Sequence, residues 1–164
     1  MKTATQSEKL DISKLDVSYN EAELVFHFLY NDKNYLASGK FSNPLDTIAY
    51  LRNGLPKEGV DAFLEKTSVR RDQLAHILHI SSRQLNRYEP QQLLSAEQSN
   101  QLYELARIYT RAIDIFGDQA TAEHWLNRSQ TALGNKAPLE ISDTSEGLRL
   151  VEDLLSQIEY GFYS

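Results

Sequence analysis

The chain has 164 residues, 41% of them hydrophobic, with no cysteine and a formal net charge of -6. That length suits one ordinary domain or two small ones sharing a core, and the apolar fraction marks a globular chain. The lack of cysteine excludes disulfides, thiolate metal sites and a cysteine nucleophile, and no apolar run approaches the roughly 20 residues that cross a bilayer, so a soluble cytoplasmic protein is expected.

Residues 1–19 are polar with few apolar anchors and read as a loosely ordered arm. Residues 20–41 carry two patterns. Leu24, Phe26, Phe28 and Tyr30 alternate as in a strand, with a hairpin turn at Asn31–Asn34. Asn20 with Glu23 instead makes a capping box, and Gly39 could close a helix. Helix is favoured, because everything downstream is helical. Asn43 caps the next helix with Pro44 at its first position, where proline sacrifices no hydrogen bond, and Gly54 and Pro56 end it.

A short helix over about 58–66 turns Val60, Phe63 and Leu64 inward. Ser68 is expected to cap a helix over about 69–78 whose apolar face is Val69, Leu74, Ala75, Ile77 and Leu78. Ser81 and Gln84 form a capping box for a helix over about 82–88 that Pro90 stops. Ser95 and Gln98 form another for a long helix over about 96–116, with Leu102, Leu105, Tyr109, Ala112 and Phe116 at three- and four-residue steps and Gly117 as C-cap. Asp118 caps a helix through Trp125 and Leu126, with Trp125 expected as a buried anchor, and Pro138 opens a helical turn. Thr144 caps the last helix, about 145–160, with Leu148, Val151, Leu154 or Leu155, and Ile158 inward and Gly161 at its end. The fold class is all-α.

The helices at 69–78 and 82–88 have the form of a helix-turn-helix. Ala75 is the small residue that lets the pair approach, Leu74, Leu78 and Ile80 fill the angle, and Leu85 locks the second helix. His79 stands in the turn where glycine is usual; histidine enters the left-handed region at some cost. Ser82, Arg83, Gln84, Asn86 and Arg87 are the polar residues of the second helix. Arginine suits guanine edges, and Gln and Asn suit adenine. Arg70 and Arg71 add positive charge beside it, against Asp72 alone. These seven residues are the candidate DNA contacts; the plainer reading is the solvated face of a core helix pair.

Net charge does not oppose DNA binding, because it is unevenly spread. Residues 1–45 carry -1, residues 46–90 carry +1 and residues 91–164 carry -6. Such an acidic C-terminal part repels phosphate and suits a basic protein partner. Catalytic signals are weak. His76 and His79 lie three apart with no carboxylate at ligand spacing, the seven glycines are scattered, and no carboxylate pair stands out. No metal, no cofactor and no enzymatic activity are expected.

The stretch 112–164, "AIDIFGDQATAEHWLNRSQTALGNKAPLEISDTSEGLRLVEDLLSQIEYGFYS", resembles the C-terminal toxin-binding domain of Xre/MbcA/ParS-type antitoxins. The likeness rests on Phe116-Gly117, Ala122, Trp125-Leu126, Ala132-Leu133-Gly134, Pro138-Leu139-Glu140, Thr144, Gly147 and Tyr160-Gly161, in order. Upstream, "LRNGLPKEGVDAFLEKTSVRRDQLAHILHISSRQLNR" resembles the family's Xre-like helix-turn-helix half. The departures are His79 for glycine, Gln84 where threonine is frequent, and Ile141-Ser142 where leucines are frequent.

The resemblance covers roughly residues 44–164 and implies a helix-turn-helix domain at 43–94 and a toxin-binding domain at 95–164; residues 1–42, an arm and extra element, match no element of the family. It implies a homodimeric type II antitoxin that covers the active site of a RES-domain, NAD-consuming toxin and represses its own operon. A pocket for NAD binds phosphates and is expected to be basic, which suits the acidic last helix. The candidate toxin contacts are therefore Glu146, Arg149, Glu152, Glu159, Tyr160, Gly161, Phe162, Tyr163 and Ser164. The alternative is a stand-alone helix-turn-helix regulator with a helical dimerisation domain.

Overall fold

The computed structural model describes residues 20–31 and 43–161. Their regular elements are all helical, with isolated β-bridges at Pro56–Leu93 and Gln130–Lys136. In chain order they are α1 (Glu21–Tyr30), α2 (Pro44–Asn53), α3 (Glu58–Lys66), α4 (Arg71–Ile77), α5 (Ser82–Asn86), α6 (Ala96–Phe116) and α7 (Gln119–Asn127), then 3-10 turns at Thr131–Leu133 and Pro138–Ile141, and α8 (Ser145–Glu159). None is long and apolar enough to cross a membrane. The expected arm at 1–19, the turn and Gly39 cap within 32–42, and Phe162, Tyr163 and Ser164 lie outside the described residues.

The ambiguous N-terminal stretch is α1. Asn20 Oδ1 accepts from Glu23 N–H at 3.0 Å and the Glu23 carboxylate accepts from Asn20 N–H at 3.2 Å, which completes the capping box. Its buried residues are Val25, Phe26, Phe28 and Leu29, a helical spacing rather than the alternation of a strand. The helix stops at Asn31, which adopts the left-handed conformation at φ 50°.

α6 is the central post. α1, α2, α7 and α8 all pack against it. Both halves of its capping box form, and Gly117 closes it at φ 84°. Around it α1 and α3 build an aromatic cluster. Phe63 meets Tyr109 edge-on at 5.0 Å between ring centroids, and Phe28 lies 5.9 Å from Phe63. Phe26 contacts Tyr50 of α2 at 5.4 Å and Tyr103 of α6 at 5.5 Å.

Three sequence expectations need correction. Ser68 does not cap α4, which begins at Arg71 with Arg70 as a cap that offers no side-chain acceptor. The Ser68 amide instead donates to Glu123 of α7 at 3.1 Å, so a tertiary contact claims the residue. The box at Ser81 is half made: Ser81 Oγ accepts from Gln84 N–H at 3.1 Å, while α5 already ends at Asn86, before Pro90. Trp125 is half-buried rather than enclosed, its ring 5.4 Å from that of Phe116.

Candidate functional site

The angle between α4 and α5 is filled as the sequence predicts, although both helices are shorter than expected. Leu74, Ala75, Leu78, Ile80 and Leu85 are all buried and fill the angle between α4 and α5. α4 ends in a Schellman motif: His79 N–H donates to the His76 carbonyl at 3.1 Å and Ile80 N–H to the Ala75 carbonyl at 3.0 Å. His79 occupies the left-handed position at φ 58°.

With Leu85 fully buried, α5 points Arg83, Gln84, Asn86 and Arg87 to solvent, and Ser82 is half-buried. The candidate contacts differ electrostatically. Arg70 is exposed but clasps Asp72, with Nε and a terminal nitrogen at 3.1 and 3.3 Å from its two oxygens. That hydrogen bonding, and the adjacent charge, hold the Asp72 carboxyl below and the Arg70 guanidinium above their ordinary values. Arg71, Arg83 and Arg87 are exposed and make no ion pair among the described residues. Three free guanidiniums beside two exposed amides can engage phosphate oxygens and base edges.

The second surface is α8. Its N-terminus is fixed by Thr144, whose Oγ1 accepts from Gly147 N–H at 3.0 Å. Gly147 is required by space: a Cβ there would stand 1.6 Å from the Ile141 carbonyl oxygen. The turn before it explains two further sequence features. The Glu140 carboxylate accepts from Ala137 N–H at 2.6 Å, and buried Ser142 donates its hydroxyl to the Pro138 carbonyl at 2.8 Å, so serine is satisfied where leucine would only pack.

α8 buries Leu148, Val151, Leu154 and Leu155, while Ile158 is half-buried. Of the candidate toxin contacts, Glu152 and Glu159 turn to α6. Glu152 receives Arg107 through two bonds of 2.8 and 2.7 Å, with Arg111 at 3.4 Å. Glu159 receives Arg111 at 2.9 Å. Glu146 and Arg149 face outward with Asp153, and Arg149 bridges both carboxylates. Leu150 and Tyr160 are exposed on α8 and just past its end, and Gly161 follows at φ 72°.

Sequence reasoning missed Arg107 and Arg111. Their four-residue spacing on α6, opposite Glu152, Ser156 and Glu159 on α8, is the signal that could have found them. His76 and His79, weighed as metal ligands, both meet Asp143. Among the described residues no group of three or more metal-ligating side chains is assembled.

Comparison with known families matches residues 46–107 to the antitoxin Xre-like helix-turn-helix domain. It matches residues 111–161 to the antitoxin Xre/MbcA/ParS C-terminal toxin-binding domain. The two matched segments meet inside α6. Similar proteins include the Antitoxin Xre of Pseudomonas putida (strain KT2440), 30% identical over 96 residues, which are 58% of each chain. They also include the Prs ADP-ribosylating antitoxin of Sphingobium sp. (strain YBL2), 23% identical over 133 residues, 75% of this chain and 84% of that one. The aligned region thus spans little over half of the Pseudomonas protein.

Proposed function

This chain belongs to the Xre/MbcA/ParS-type antitoxins, and from that premise we propose that it neutralises a RES-type, NAD-consuming toxin through α8 and binds its own promoter through α5. The name of one relative joins an antitoxin to ADP-ribosylation, a chemistry that consumes NAD, which supports the choice of toxin class. The observation that carries the proposal is the presence of two unlike surfaces on different helices of one fold. α5 offers the free guanidiniums of Arg83 and Arg87, with Arg71 beside them, while α8 offers an outward stripe with Leu150 and Tyr160 at its apolar positions.

In this proposal the stripe Glu146, Arg149, Leu150 and Asp153, continued by Tyr160, Gly161 and the tail Phe162, Tyr163 and Ser164, covers the toxin's active-site cleft. Aromatic anchors at the chain end supply large contact area at little entropic cost. Glu152 and Glu159 act indirectly, by holding α8 on α6. The chain works in the cytoplasm as a homodimer, with residues 43–94 as the DNA-binding unit and residues 95–164 as the toxin-binding unit. Arg83, Gln84, Asn86 and Arg87, with Ser82 at the helix start, read bases; Arg70 and Arg71 meet phosphate, Arg70 more weakly because Asp72 competes for it.

Co-expression with the neighbouring gene product tests both halves. Leu150→Asp should abolish protection and co-purification while leaving gel shifts on the upstream DNA intact. Arg83→Ala should cost about 1–3 kcal/mol of promoter affinity and relax one base preference. A chain that shifts the promoter but binds no neighbouring product would be the stand-alone regulator instead.

A further inference from the structure

His79 is unexplained by a helix-turn-helix alone. At a Schellman C′ position glycine reaches positive φ freely, whereas histidine at φ 58° carries a steric cost. Its side chain is engaged across the fold. Nε2–H donates to the Asp143 main-chain carbonyl at 2.6 Å, and Nδ1 faces the Glu97 carboxylate at 3.5 Å. The same carbonyl accepts from Gln101 Nε2 at 3.4 Å, and that amide also donates to the Ile77 carbonyl at 3.1 Å. Gln101 is only 6% exposed, so its orientation is fixed by packing. Asp143 precedes Thr144, the cap of α8, and its carboxylate lies 3.3 Å from His76.

The turn that sets the angle of α5 and the cap that starts α8 therefore converge on one carbonyl. We propose that His79 is a positioning residue that, with Gln101, latches the reading helix to the start of the partner-binding helix, so that duplex on α5 and a protein on α8 are energetically linked. Its functional meaning rests on the reading of α5 and α8 given above; the latch itself does not. Such linkage is reciprocal: whatever orders the Asp143 carbonyl from one side eases binding at the other.

Hydrogen exchange on the full chain tests the latch without DNA or toxin. The reporters are the amides of Gly147 and Leu148, which donate to Thr144 Oγ1 and to the Thr144 carbonyl, both at 3.0 Å. His79→Gly and His79→Asn both tolerate the left-handed turn, but glycine has no side-chain donor and the asparagine amide is too short to place its Nδ2 where His79 Nε2 meets the Asp143 carbonyl. Both should melt no lower than the parent, yet exchange Gly147 and Leu148 about fivefold faster, the factor for one net hydrogen bond of about 1 kcal/mol. His79→Gln, which restores a donor at similar reach, should recover most of the protection. Exchange within twofold of the parent at both amides in a folded His79→Gly or His79→Asn chain would overturn the latch. Duplex from upstream of the coding sequence should slow the same two amides in the parent and not in His79→Gly; a bound parent without slowing would overturn the linkage. A parent that does not bind the duplex refutes the reading of α5, while the exchange rates of Gly147 and Leu148 without DNA still decide for or against the latch.

Discussion

Removing Arg107 probes how α8 is held. Its guanidinium makes bonds of 2.8 and 2.7 Å to Glu152 of α8 and of 3.2 and 2.7 Å to Glu104 of α6. Burial alone would lower its ionisation, but the hydrogen bonds and the two carboxylates outweigh burial and hold it above the ordinary value. The side chains of Arg107, Glu104 and Glu152 are 21%, 27% and 30% exposed. Breaking a fully buried pair costs about 3–5 kcal/mol and an exposed one about 0–1. This site lies between, and Arg111 at 3.4 Å still partners Glu152 after the change. Arg107→Ala should therefore cost about 2–3 kcal/mol and lower the melting temperature by roughly 5–10 °C for a chain of this size. A double-mutant cycle with Glu152→Ala should return a coupling of about 1.5 kcal/mol. Calorimetry of the four proteins measures it. A melting temperature within about one degree of the parent would show that the apolar face of α8 alone does the holding.

Three other positions have outcomes set by their local surroundings. Tyr109 is fully buried between Phe28 and Phe63, and its hydroxyl has no partner among the described residues, so Tyr109→Phe should stabilise the chain by about 1 kcal/mol in urea unfolding; a loss of stability would reveal a bonded hydroxyl. Gly147→Ala should cost roughly 3 kcal/mol, because its Cβ would overlap the Ile141 carbonyl and α8 must shift; an unchanged denaturation midpoint would contradict that close approach. Burial lowers the Lys66 amine to about 8 from its ordinary 10.5. Between those values the unfolded chain holds a proton that the folded chain lacks, so stability should rise with pH there, and Lys66→Met should flatten that slope below about pH 10, where tyrosines begin to titrate.

What the sequence made legible was local. The caps at Asn20, Asn43, Ser95, Asp118 and Thr144 each accept an amide two or three residues ahead, so they are written in adjacent residues. The inward faces of α6 and α8 were equally readable from their periodicity. What failed depended on residues far apart in the chain. Ser68 has the chemistry of a cap, but α4 starts only at Arg71, and Ser68 faces α7, its Oγ toward Asn127 Nδ2 at 3.5 Å and its amide on Glu123. Trp125 has the size of a core anchor, but Leu126 beside it takes the fully buried position and the indole rests against half-buried Phe116. Leu24 and Phe26 alternate as a strand would, yet burial follows Val25 and Leu29 as well, because α6 and α3 cover two adjoining sides of α1.

The contrast between local and distant residues also governs the electrostatics of the partner face. Counting charges assigns -6 to residues 91–164 and suggests an acidic surface. In the fold those charges are not gathered on one face: Arg107 and Arg111 pair with Glu104, Glu152 and Glu159 at the α6–α8 seam, and Glu140 binds the Ala137 amide. On the outward stripe Arg149 lies between Glu146 and Asp153, and its hydrogen bonds and charge hold the Glu146 carboxyl below the ordinary range. The stripe thus presents a compact, internally paired trio with a net charge of -1, set beside exposed Leu150 and, farther on, Tyr160. The stripe's own attraction to a basic cleft is correspondingly modest, and screening at physiological salt weakens it further. In the proposed complex, affinity comes mainly from burying Leu150, Tyr160 and the aromatic residues Phe162 and Tyr163, with the ionic trio setting register. Raising salt should therefore slow association with the toxin while leaving its dissociation rate nearly constant, and Leu150→Asp should do the reverse. Stopped-flow mixing across a salt series would separate the two, and a dissociation rate that climbs steeply with salt would return the acidic residues to the centre of the interface.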